Sequence, residues 1–439
     1  MVSIAVIGSG ISGSGAAWAL HSFSPHDVVL YEKRDRPGGH SATVDIDYDG
    51  TPTAVDTGFI VYNQETYPNL TALFDHLGVA TEWSDMSFGV SVGDGALEWS
   101  GDRFEALFAQ RRNLVSPRFL RMLWAILRFN RTALADLRRG ALTGLTLGDY
   151  LKAGRYPPSF IEDYLAPMGA AIWSTPDAQI MMFPAESFVR FFAKHGLLQI
   201  RPPEWRTITG GSRNSIAKLT GPLGDGLFLG RQATEVRRQG GGVMVTDTTG
   251  QSRQFDHVIL ATHSDQALQV LQDATAAEAS VLSNVRYRPN TVYLHRDARL
   301  MPRRRKVWSA WNYMASARAG GDRTGLSVSY WMNKLQNIDP AFPVFITLNP
   351  PVPPAPDKLF LKTSYDHPQF DAAALAAQQR LPEIQGSGRI HFAGAWTGFG
   401  FHEDGLRSGL MAAEALGARI PWQVEDGHSR CAYPNHLSI

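Results

Sequence analysis

Three glycines near the N-terminus, Gly8, Gly10 and Gly13, are spaced to fold a backbone around an anion. They follow a short apolar run, Ile4 to Ile7, suited to a buried parallel strand. A helical stretch to about Leu20 comes next. In that strand–turn–helix setting, Gly8 permits the tight turn, Gly10 lets a diphosphate touch the backbone, and Gly13 lets helix and strand pack closely. Ser9, Ile11 and Ser12 complete the loop, whose helix N-terminus offers free N–H groups and a positive dipole end to phosphates. A second strand, "DVVLYE", ends on Glu32, where a carboxylate can hold ribose hydroxyls. A chance glycine-rich turn is the bland alternative. Strand, spacing and acid together argue against it.

The next residues separate a nicotinamide from a flavin dinucleotide. "EKRDRPGGH" follows Glu32 with Lys33, Arg36, a second glycine pair (Gly38 and Gly39) and His40. This stretch resembles the E-x-x-x-R-x-G-G-[RH] continuation of the flavin-dependent amine oxidase and phytoene desaturase superfamily. The resemblance implies non-covalent FAD, with the second glycine pair beside its diphosphate and ribityl chain. "AVDTGFIVYN" looks like the family's passage under the isoalloxazine, implicating Thr57, Gly58 and Phe59. Val236 matches the position whose backbone contacts adenine, and Ala261 ends a strand returning beneath the cofactor. "RIHFAGAWTGFGFHEDGLRSG" resembles the last flavin motif, implicating Gly394, Ala395, Asp404, Gly405 and Leu406. Amine oxidases usually carry a glutamate where this chain has Ala395, so Asp404 is the candidate polar ribityl contact.

The matches imply an α/β fold: a Rossmann-type FAD-binding domain of amine-oxidase-like, glutathione-reductase-like type, with an interleaved α+β substrate domain. The FAD domain would comprise 1–75, 203–285 and 386–425. The substrate domain would comprise 76–202 and 286–385, and 426–439 reads as a C-terminal tail. At 439 residues, two domains are the prior expectation. No second G-x-G-x-x-G follows a strand, so electrons should come from the substrate by hydride transfer to flavin N5, not from a pyridine nucleotide.

Composition narrows the partners. A formal net charge of +1 gives no global argument for nucleic acid or membrane. The single cysteine, Cys431, excludes an intrachain disulfide framework and a Cys-based metal cage. No metal site is expected. Neither a signal peptide nor an apolar run of the ~18–20 residues that span a bilayer is evident, which points to the cytoplasm. Residues 110–140, however, hold eight arginines and one acid, Asp136. Helical spacing puts Phe119, Met122, Leu123, Ile126, Leu127, Leu134 and Leu137 on one face and arginines on the other. The segment is either a solvated face or a dock for an anionic membrane surface, which would put the protein at the inner membrane face.

Aromatics crowd the expected substrate domain. Trp311, Tyr313 and Tyr330, with Trp396, Phe399 and Phe401 from the last motif, are candidates for an apolar substrate pocket. His402 and Glu403 are the candidates to move a proton, against a purely structural role in the turn. "SAWNYM", "SYWMNKLQNI", "FITLNP" and "YDHPQFD" resemble a bacterial branch of the superfamily, similar to the flavin-like N-terminal part of plant cyclopropane fatty acid synthases and to methylated-fatty-acyl desaturases. That resemblance implies an oxidoreductase acting on a fatty-acyl or phospholipid chain, with a lipid methyltransferase as a partner. An amine or carotenoid-type oxidase, a non-redox FAD protein and an accessory protein of the methyltransferase remain alternatives.

Overall fold

A computed structural model of the chain describes residues 1–424 apart from 174–176, 195, 199–202, 317, 320–321 and 324–325. The expected tail at 426–439, with Cys431, lies outside the described residues.

The apolar run at the N-terminus forms the strand Ser3–Ile7, the middle of a five-stranded parallel sheet. Asp27–Tyr31 and then Leu227–Phe228 lie on one side of it, His257–Leu260 and then Ile390–Phe392 on the other. Both faces are covered, which is why these strands are nearly all apolar. Helices Ile11–Phe23 and His402–Ala415 pack on one face through Trp18, Leu20, Leu406 and Leu410. Val236, Val243 and Val245 of a three-stranded antiparallel sheet cover the other. The two helices touch at glycines: a Cβ on Gly409 would stand 2.0 Å from the Ser12 carbonyl oxygen.

A second, seven-stranded sheet runs in the order Leu359–Gln369, Arg286–His295, Phe345–Leu348, Ser327–Trp331, Trp311–Ala315, Phe88–Val92, Leu97–Ser100. Its register lines up Phe88, Trp311, Tyr330 and Ile346 as one row across four neighbouring strands. Beyond this sheet lies a helical cluster centred on Phe129, Phe160, Phe188 and Phe192, all fully buried. Each such side chain contributes about 1.5–3 kcal/mol on burial.

The long basic helix spans Pro117–Arg138, with proline in its first turn and the Ser116 hydroxyl accepting the Phe119 N–H. Its buried face differs from the expected one: Phe119, Met122, Ala125, Phe129, Ala133 and Leu137 face the core, while Leu127 is exposed. Ala125 and Ala133 are fully buried in the helical cluster, in which the helix packs against Pro158–Phe160 and Ala185–Lys194.

Candidate active site: a dinucleotide cleft with an apolar end

One cavity of about 630 Å³ runs from the glycine loop to the seven-stranded sheet. Gly8, Ser9, Gly10, Ile11 and Ser12 line its first part. Gly8 takes φ +100° and Gly39 φ +58°, the left-handed region open to glycine. Gly13 stays out of the cavity: its Cβ would stand 1.8 Å from the Gly8 carbonyl oxygen, so its absence sets helix against strand. Gly10 is the reverse case, with no atom within 4 Å of a Cβ position, because that side faces the cavity. Gly10 also begins helix Ile11–Phe23 without a side-chain cap, leaving the first helical N–H groups for an anion. An open glycine face, an uncapped helix start and a carboxylate at the next strand end fit a dinucleotide.

Glu32 lines the cavity beside Lys33 and Arg34. Its Oε2 accepts the Ser9 N–H at 3.1 Å and the Ser9 hydroxyl at 2.5 Å, and its Oε1 accepts the Arg34 N–H at 2.9 Å. A carboxylate has about four acceptor sites, so capacity for ribose remains. Gly38 donates its N–H to the Ser9 carbonyl at 3.0 Å, tying the second glycine turn to the first. Arg36 does not line the cavity. It is spent bracing that turn, with long contacts to the carbonyls of Pro37 and Gly39.

Gly39, His40, Thr57, Gly58, Phe59, Ala261, Gly394 and Ala395 line the middle of the cavity. Four cavity histidines gather along it. The His40 ring lies 4.7 Å from Tyr365, 6.0 Å from His367 and 6.4 Å from His263. His402 lies on Phe59 at 3.9 Å and shares a 3.2 Å hydrogen bond with the Ser41 hydroxyl. Burial pushes all four imidazoles below the usual histidine range, His367 to about 4 and His402 to about 3. They are therefore neutral at pH 7, able to donate or accept a hydrogen bond without carrying charge.

Several expected site residues lie elsewhere. The Glu403 carboxylate points away from the cavity and accepts the backbone N–H groups of Asn69 and Leu70 and the Asn69 side-chain amide. It caps helix Pro68–Leu77. Burial pushes its carboxyl up to about 7 against the pull of those donors. Asp404 folds back on its own turn, accepting N–H groups from Phe399 at 2.9 Å and Phe401 at 3.1 Å, so its side chain is not aimed at a ribityl chain. Gly405 packs on Ile11 and Ser12, and Leu406 is fully buried in the core. Val236 is three residues past the cavity wall, which is formed by Arg231, Gln232 and Ala233, and its carbonyl already accepts the Gln272 N–H. Tyr313 shares a strand face with Trp311 but lies deeper, in the cluster with Ala170 and Trp173. Phe399 packs in the same cluster, its ring 5.9 Å from Phe191.

Trp311, Tyr330, Trp396 and Phe401 do line the cavity. The Trp311 and Tyr330 rings meet edge to face at 5.0 Å, and Phe401 stacks on Phe191 at 5.1 Å. Phe88 and Ile346 extend the row, and Met168, Ala171 and Ile172 of helix Ala166–Trp173 add an aliphatic wall. Sequence reasoning missed His263, Tyr365 and His367. Tyr365 and His367 alternate in "YDHPQFD", a strand pattern with two cavity-facing rings, and His263 stands two places after Ala261 at the end of its strand.

A parallel sheet ending in a glycine-lined dinucleotide cleft, joined to a mixed sheet with an apolar chamber, defines a two-part dinucleotide-dependent oxidoreductase fold. The chain matches the flavin containing amine oxidoreductase family over residues 11–306, and it belongs to that family. A Mycobacterium tuberculosis protein assigned as a flavin-containing monoamine oxidase is 27% identical over 271 residues, 57% of this chain and 55% of that protein. The chain thus spans about half the length of the curated relatives it matches. Among solved structures, a CLA-producing fatty acid isomerase from P. acnes superposes with a TM-score of 0.67 at 14% identity, over 94% of this chain and 98% of that one. Putrescine oxidase bound to putrescine gives 0.66 at 16%, over 95% and 99%. Cyclohexylamine oxidase from Brevibacterium oxydans gives 0.62 at 18%, over 94% and 98%. These structures share the fold.

Proposed function

We propose that the protein is an FAD-dependent dehydrogenase, desaturase or oxidase acting on an apolar chain, a fatty-acyl or phospholipid chain of the methylated or cyclopropane kind. The observation that carries this reading is the row Phe88–Trp311–Tyr330–Ile346 facing Met168, Ala171 and Ile172. Among the described residues of that end there is no carboxylate, ammonium or guanidinium. The charged lining residues stand elsewhere: Glu32, Lys33, Arg34 and Arg231 with the glycine loop, and Asp366 between Tyr365 and His367, close to His263. An unpaired charge is costly in such a chamber, whereas a hydrocarbon chain gains from burial there.

FAD, when bound, supplies the hydride acceptor. The chain's own residues bind, orient and exclude water. Gly8 to Ser12 and Glu32 hold the dinucleotide. Thr57 is fixed by a 2.7 Å hydrogen bond to the Tyr365 hydroxyl, and His402 is held neutral between Ser41 and Phe59. The only cysteine, Cys431, follows the last helix, in keeping with dissociable FAD. The fatty acid isomerase of the same fold is a precedent for acyl chains on this architecture.

A second reading, an amine oxidase, draws on the family match and the mycobacterial relative. The Trp311–Tyr330 pair could then enclose a neutral amine. Titration of the flavin-loaded protein separates the two. Perturbation of the flavin spectrum by branched or cyclopropane phospholipids, but not by alkylamines, supports the acyl reading; the opposite pattern rejects it.

A further inference from the structure

Helix Pro117–Arg138 would meet water with a polar face if it were only an outer layer of the helical cluster. Instead Leu120, Trp124 and Leu127 stand outward at 44%, 60% and 64% exposure. Their spacing of four and three residues makes one stripe. Arg121, Arg131 and Arg138 lie within about 60° of Trp124 around the helix axis, and none of them has an ion pair among the described residues. Arg128 lies over the Trp124 ring at 5.3 Å. The helix's one acid, Asp136, is turned aside and engaged by Arg139 and the Tyr150 hydroxyl. Just ahead of the helix, Leu114 and Val115 are exposed as well.

Apolar side chains ringed by unpaired arginines, with no acid on the same face, match the interface of an anionic bilayer: hydrocarbon below, phosphates above. We propose that this face docks on an anionic phospholipid surface, with Leu120, Trp124 and Leu127 entering the headgroup boundary and the arginines meeting lipid phosphates. No helix among the described residues is long and apolar enough to cross a membrane, so the contact is interfacial. The helix packs on Ala185–Lys194, whose Phe191 lines the cavity. Docking thus leaves one helix, Ala185–Lys194, between the lipid surface and the cavity at Phe191. The proposal stands apart from the substrate reading, because vesicle binding is measured without turnover.

The test is co-sedimentation of the flavin-loaded full chain with phosphatidylglycerol–phosphatidylcholine vesicles and with phosphatidylcholine alone. Binding is expected on the anionic vesicles and to weaken with salt. W124A/L127A should lower the partition coefficient at least about tenfold, and R121Q and R131Q about fivefold each. Unchanged flavin content and melting temperature establish that these variants are folded. Absence of binding, equal binding to both vesicles, or binding unaffected by W124A/L127A would overturn the proposal. So would a dimer that W124A/L127A dissociates in a protein that ignores vesicles, since the stripe would then serve a second copy of this chain.

Discussion

The carboxylate of Glu403 holds Asn69 twice, through its backbone N–H at 3.0 Å and its side-chain amide at 2.7 Å. The contact joins the start of the last helix to helix Pro68–Leu77, 334 residues away in the chain. Glu403 is thus a structural link, and its neighbour His402 alone faces the cavity.

That assignment predicts a stability effect. Glu403→Ala leaves three donors without their acceptor and should cost about 2–4 kcal/mol in thermal or denaturant unfolding. The folded carboxyl titrates near 7 and the unfolded one near 4.5. Between those values the folded state binds more protons, so Glu403's contribution falls as pH rises through that window and is level above it. Glu403→Gln should flatten this slope; an unaltered slope would show that Glu403 does not titrate there.

His402 should give no inflection in the rate profile between pH 5 and 8, because its imidazole is already neutral there. His402→Gln keeps a hydrogen-bonding group near Ser41. It should lower kcat by less than about tenfold and leave the profile's shape intact, whereas loss of an acid or base commonly costs 10²–10⁴-fold. Loss of an inflection in the variant would assign His402 a proton-transfer role.

The two glycines of the loop should fail differently. Gly10→Val projects into open cavity, so the chain should fold with native circular dichroism and come out pale. Gly13→Ala drives a methyl into the Gly8 carbonyl and should lower the melting temperature along with flavin content. Equal stability of the two variants would contradict these separate roles.

In the apolar chamber, Ile172→Gln should keep the flavin and weaken binding of an acyl ligand by at least about tenfold, since an amide there lacks a partner. Isothermal titration reads the effect. A matching loss of flavin would mean that Ile172 supports the cofactor instead.

The part of this site legible in the sequence is the part built from neighbours. Gly8, Gly10, Gly13 and Glu32 act within a single strand–turn–helix–strand passage, so spacing alone exposes them. Glu403 and Asp404 looked equally chemical, yet their roles depend on partners that no local pattern reveals: Asn69 and Leu70 for one, the backbone of Phe399 and Phe401 for the other. Alternation placed Trp311 and Tyr313 on one face but said nothing of depth, and helix Ala166–Trp173 covers the second ring. Helical spacing found an amphipathic helix within 110–140, where the structure has Pro117–Arg138, but misoriented Leu127. Hydrophobicity weighs leucine above alanine, whereas the buried face here includes Ala125 and Ala133 and leaves Leu127 out.

The most direct test of the functional reading is anaerobic mixing of the yellow protein with a methyl-branched or cyclopropane phospholipid, following flavin absorbance over time. Bleaching by the lipid and its return on adding oxygen or a quinone is the predicted result. Bleaching by amines with none by any acyl lipid would contradict the account, and a protein that takes up no FAD would remove its basis.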